Sequence, residues 1–196
     1  MTLPGDVAHT FANTFKAGDA TWSSRGLDMD DKAGGFATSS QDLHDSLNAK
    51  VQTGVPTFFS LEAQLPVQGR TNIPMAASQS MWVVLKTYAS GGENELHAHP
   101  SEDHTFVVLQ GKATFYGPAG EQKIIGPNEG VLLPHGTFYW FHVCSQEPLV
   151  MVRVGGAAGE GDRFGRIDTE GKVMEGDDPR NKQVPVVLSH KWYGRR

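Results

Sequence analysis

Residues 95–110 read ELHAHPSEDHTFVVLQ. Side chains two apart on an extended chain point to the same face, so His97 and His99 present both imidazoles to one side. Pro100 cannot donate to a strand ladder and ends that strand. The turn that follows brings His104 onto the next antiparallel strand, where His104, Phe106 and Val108 share a face by parity. Three neutral imidazoles converging from neighbouring strands suit Zn, Fe, Ni or Cu. An isolated His-x-His is more often a pair of surface imidazoles. Here five of the eight histidines (His97, His99, His104, His135, His142) fall between residues 97 and 142, which shifts the weight toward a site.

Outward from this stretch the chain is a series of short β-type runs. They are Met81–Tyr88, Glu95–His99, Thr105–Gln110, Lys112–Tyr116, Lys123–Ile125, Val131–Leu133, Phe138–Val143 and Leu149–Val154. Turn residues such as Ser90-Gly91-Gly92 and Pro134-His135-Gly136 separate them. Many short strands without intervening helix-period segments predict an all-β sandwich or barrel. The run FYWFHV (138–143) is apolar at both parities, whereas a half-exposed sheet alternates. Its outer face is therefore expected to be covered by the N-terminal arm, the C-terminal tail or a second subunit, and a homodimer is expected. Residues 21–41 read as loop, Asp42–Val51 as a short helix capped by Asp42, and Val184–Leu188 as a last strand. The expected organisation is an N-terminal arm over residues 1–55, a β-barrel over 56–155 and a C-terminal extension over 156–196.

Composition narrows the function. A chain of 196 residues with 38% hydrophobic residues and a net charge of −5 has ordinary globular character. It has no basic surplus for nucleic acid or an anionic membrane surface. No apolar run is long enough to span a bilayer, and the opening residues MTLPGDVAHT do not read as a secretory leader. Cys144 is the only cysteine, so an internal disulfide and a cysteine-built metal site are excluded, and a cytoplasmic location is the expectation. Cys144 lacks an activating neighbour in sequence and reads as structural. Dinucleotide and phosphate-loop motifs and a Gly-x-Ser-x-Gly elbow are all missing.

The spacing Gly91-x5-His97-x-His99-x4-His104-x6-Gly111 resembles the first signature of the cupin superfamily, with His104 where that family usually has Glu. Pro134-x-Gly136-x-x-Tyr139-x3-Val143 is a looser match to the second signature, with Tyr139 in place of its His and Val143 in place of its Asn. The resemblance covers Trp82 to Val154. It implies a double-stranded β-helix, or jelly-roll, barrel with N- and C-terminal extensions. It also implies one divalent metal per chain, iron or zinc first, with nickel, manganese or copper as alternatives. His97, His99 and His104 are the implied ligands, with Tyr139 as a fourth ligand or a proton donor beside the metal. Three neutral imidazoles would leave the ion at its full charge, favouring an anionic, oxygen-chelating substrate.

The implied function is a metal-dependent, dioxygenase-like oxidoreductase acting on a small oxygenated organic molecule. A non-oxidative isomerase or lyase and a non-catalytic ligand-binding protein are the alternatives. Among the remaining candidates, Glu95 shares the parity of His97 and His99 and is an acceptor behind them, an extra ligand or, as the favoured reading, a rim carboxylate. Glu102 and Asp103 either orient an imidazole or, as the favoured reading, form a solvated turn. His135 is expected at the exposed mouth, and His142 points away from the site by parity. His9, His44 and His190 lie outside the cluster.

Overall fold

A computed structural model describes residues 35–195. The reading of residues 21–34 as loop, the leader question and His9 lie outside the described residues. The elements in chain order are α1 (Ser40–Ala49), β1 (Ala63–Gln68), β2 (Arg70–Ala77), β3 (Met81–Tyr88), β4 (Glu102–Gln110), β5 (Ala113–Tyr116), β6 (Gln122–Ile125), β7 (Gly130–Leu133), β8 (Trp140–Val143), β9 (Leu149–Ala157) and β10 (Val187–Tyr193). All named strand pairs are antiparallel, in three sheets ordered β2-β3-β9-β4-β7, β6-β5-β8 and β1-β10. This is the all-β jelly-roll architecture expected from the sequence. Among the described residues no helix is long and apolar enough to cross a membrane.

The inner faces of the two larger sheets meet around Tyr88, Phe106, Val108, Phe115, Phe141 and Met151. Along β4 the even positions Glu102, His104, Phe106 and Val108 are buried, while Asp103 and Val107 are exposed. The same parity on β9 sends Leu149 and Met151 into this core and Val150 and Val152 to the opposite face. That opposite face is covered by the β1–β10 ribbon, whose Ala63 and Leu65 pack with Leu85 and Val150. On β8, the outer Trp140 and His142 stack against Tyr116 of β5. The double apolarity of FYWFHV thus has an outer aromatic ladder behind it.

The helix begins two residues earlier than its sequence pattern suggested. Ser39, not Asp42, is the N-cap, and its hydroxyl accepts from the Asp42 N–H at 3.0 Å. Asp42 reaches back to accept from the Thr38 N–H at 2.8 Å, so the two side chains satisfy orphan donors reciprocally. Leu43 and Leu47 then pack on Trp82 and Val84 of β3. The strands β1 and β2 escaped the sequence reading because Pro66 and Pro74 interrupt them. Both prolines sit at register shifts, with β2 at a sheet edge and β1 in a two-stranded ribbon, where proline is tolerated.

Candidate metal centre

His97 and Tyr139 face each other across an antiparallel bridge, with His97 N–H to Tyr139 O at 3.2 Å and the reverse bond at 3.0 Å. Their rings lie 4.7 Å apart. The His97 and His99 rings are 5.3 Å apart, and those of His99 and His104 4.8 Å. All three histidines and Tyr139 are buried. The two ends of the motif and the distant Tyr139 therefore meet inside the barrel as the sequence pattern suggested.

Glu102 corrects that reading. The sequence favoured a solvated turn for it over a carboxylate that orients an imidazole, but it opens β4, is 1% exposed and lies among the histidines. Its Oε2 lies 3.1 Å from His99 Nδ1 and its Oε1 3.7 Å from His104 Nδ1. Arg153 on β9 donates to Oε1 from Nη2. One donor atom each from His99, Glu102 and His104 fall within 4.8 Å of one another, a group that could hold a metal ion. The signal was present: residues 102, 104, 106 and 108 share one parity. Asp103, on the other parity, points outward and accepts from the exposed His135, whose Nδ1 is 2.8 Å away.

The protonation states suit a cation. His97 Nδ1 lies 2.7 Å from the Glu95 carbonyl oxygen, which can only accept, so Nδ1 carries the proton. Nε2 is then left with a free lone pair, buried and without a hydrogen-bond partner. The Nδ1 atoms of His99 and His104 and Oε2 of Glu102 are likewise buried, and although His99 Nδ1 and Oε2 face each other at 3.1 Å they do not meet in hydrogen-bond geometry. Burial, followed by the charge of Arg166, holds His97 well below the usual histidine range. Burial and then Arg153 do the same to His99, and push His104 down to about 2. Neutral imidazoles are the form that ligates metals. Burial raises the Tyr139 hydroxyl, which keeps its proton and lies 3.0 Å from His104 Nε2. His99, Glu102 and His104 therefore fit a divalent ion in chemistry and protonation, while His97, expected from the sequence as a ligand, lies outside that three-residue group with its Nε2 buried nearby.

A cavity of about 60 Å³ opens beside this cluster. Its walls include Lys86 and Arg153 from the barrel strands, Leu43 from α1 and Arg166 from the C-terminal segment. That segment docks on the motif through reciprocal bonds between Ala98 and Ile167, both 3.0 Å. The sequence reading missed Arg166, because nothing in a polar, Gly-rich tail marks where it folds back. Glu95 is exposed, as expected of a rim carboxylate, and His142 faces away from the site. His44 lines the cavity and stacks on Phe164 with centroids 4.2 Å apart, while His190 is exposed on β10. Cys144, read as structural, is instead an exposed free thiol where β8 ends.

The Glu102 side chain passes over Gly155 of β9, where a Cβ would lie 2.3 Å from both Glu102 Oε1 and Trp82 Nε1. Gly155→Ala is expected to destabilise the protein by about 2–3 kcal/mol and to displace the carboxylate. A urea-denaturation midpoint unchanged from wild type would refute the close packing.

Residues 84–155 match the family described as "Cupin domain". No curated protein matches the sequence. Among solved structures, the cupin domain of Cnp3 from Schizosaccharomyces pombe is 15% identical at a TM-score of 0.42, over 45% of this chain and 64% of its own. KdgF from Halomonas sp. is 19% identical at a TM-score of 0.42, over 48% of this chain and 83% of its own. The DMSP lyase DddQ from Ruegeria pomeroyi is 21% identical at a TM-score of 0.40, over 49% of this chain and 46% of its own.

Proposed function

Since the chain belongs to the cupin superfamily through residues 84–155, we propose that it is a metal-dependent enzyme acting on a small oxygenated organic molecule. His97, His99, Glu102 and His104 would hold one divalent ion, within a barrel that we take as residues 56–155. The observation that carries this reading is the convergence of buried donor atoms from His99, Glu102 and His104, left without hydrogen-bond partners. Burying the lone pairs of these imidazoles and of Glu102 Oε2, whose fellow oxygen Arg153 already engages, is costly unless something satisfies them. Glu102 also alters the charge expected from the sequence, since one carboxylate would leave the ion at a net +1.

A mixed nitrogen and carboxylate donor set suits iron, zinc, manganese, nickel or copper. Such an ion supplies Lewis acidity to a substrate oxygen and, if iron, one-electron chemistry with dioxygen. Oxidation by dioxygen is the leading reading. Phe106 and Phe141 line the cavity and would keep water from an ion held there, and Arg153 holds the Glu102 carboxylate in place. Tyr139 presents a protonated hydroxyl beside His104 and can deliver that proton to a substrate oxygen. The same hydroxyl favours a second reading, a non-oxidative isomerase or lyase that moves protons only.

Elemental analysis tests the core of this. The purified wild-type chain is expected to carry about one equivalent of metal, and the His97→Ala/His99→Ala double variant little or none. Stoichiometric metal in the double variant would overturn the assignment. Oxygen-electrode traces then separate the two chemistries, because the isomerase or lyase turns over without consuming O2.

A further inference from the structure

Six ionisable side chains line the cavity, Arg70, Lys86, Arg153 and Arg166 against Glu102 and Glu175, and burial, followed by the charge of Arg153, holds Lys86 well below the usual lysine range. Glu102 is engaged by Arg153, and Glu175 is exposed. Arg70 is spent on neutral acceptors, donating to the Gly92 and Gly176 carbonyls and to Asn94. Lys86 donates to Asn72 Oδ1 at 2.6 Å. Among the described residues, none of Arg70, Lys86 and Arg166 makes a salt bridge.

Arg166 is the unusual one. Its Nε and Nη2 are both shut off from solvent and have no hydrogen-bond partner. These two donors form one edge of the guanidinium, the parallel fork that matches the two oxygens of a carboxylate. The antiparallel bridge between Ala98 and Ile167 sets Arg166 opposite His99, on the face that carries the imidazoles. Burial holds its guanidinium down to about 10, so it stays charged at neutral pH. The residue as a whole is half-buried, and shutting one charged edge away from water without a partner is costly.

We propose that this cavity binds an organic carboxylate on the guanidinium of Arg166, whose Nε–Nη2 edge a small shift of the side chain opens to the guest, with Arg70 supplying the surrounding positive field. The inference deepens the enzyme reading by naming its substrate class, and rests on that reading for any chemistry that follows binding. Binding itself needs no metal. A carboxylate seated there would place the rest of a small acid toward His97 and His99, across the same cavity.

Calorimetric titration of the full chain tests this after metal removal, with sodium chloride holding the ionic strength constant. The probes are acetate, lactate and malonate, each against its amide. At least one acid is expected to bind ten-fold or more tightly than its amide, and Arg166→Gln to weaken that acid at least ten-fold. Equal affinity for acid and amide, or no binding by any acid, overturns the proposal. So does an Arg166→Gln chain that binds like wild type. Inorganic phosphate binding more tightly than every acid overturns the choice of carboxylate. Should Arg166→Gln not fold, the acid-against-amide comparison on wild type decides alone. Acid binding by a chain that takes up no metal would leave the anion site standing and sink the metal centre.

Discussion

Glu102→Leu is expected to cost about 3–5 kcal/mol of stability, because it strands the Arg153 guanidinium in the barrel without its carboxylate. Arg153 is 11% exposed and its Nε already lacks a partner, so it has little water to turn to. With a typical urea dependence of about 2 kcal/mol per molar, the denaturation midpoint should fall by about 2 M. The same variant should also lose its metal. These two losses have different causes, and a second variant separates them. Glu102→Leu/Arg153→Met removes both charges, so it should regain most of the stability while still failing to bind metal. If the double variant regains metal as well, the carboxylate has no part in the donor set.

Acid should unfold the metal-free protein early. His97, His99 and His104 are neutral and buried, with burial the first cause of each depressed value. In the unfolded chain they return to about 6.5. The folded state therefore holds fewer protons than the unfolded one below that pH. Its stability is fully present above pH 6.5 and is lost as the pH falls, down toward about 2 for His104. Each histidine contributes a slope of about 1.4 kcal/mol per pH unit, so the three together approach about 4 kcal/mol per unit. Thermal unfolding in chelator from pH 8 to pH 5 measures this. His104→Gln should lower the slope by about a third. Added metal should move the whole decline to lower pH, since it competes with protons for the same lone pairs. A flat profile through pH 6 would mean that these imidazoles are not held neutral.

Much of this centre was legible in the sequence. The His97-x-His99 pair and His104 follow from period-two geometry and a proline stop, and the barrel follows from strand spacing. Parity along β4 was read from His104 forward through Phe106 and Val108. Read backward, it would have turned Glu102 inward, but a Ser-Glu-Asp run after proline looks like solvated turn, and local polarity outweighed periodicity. Lys86 and Arg153 were hidden the same way. Each sits on an inward parity within an apolar run, where a long cation looks like a surface residue. Arg166 carried no local signal at all, because its position depends on Ile167 pairing with Ala98 across nearly seventy residues. Such long-range closure is a property of tertiary packing, and a window on the sequence contains none of it.

The C-terminal strap has an evolutionary corollary. The donor cluster belongs to residues 97–104, whereas the guanidinium that would choose the guest arrives on a separate stretch of chain, beyond the family-matched portion. On these proposals, metal binding and the choice of guest would be carried on different segments. A descendant could exchange its tail, and with it its preferred small acid, without disturbing a single donor atom inside the barrel.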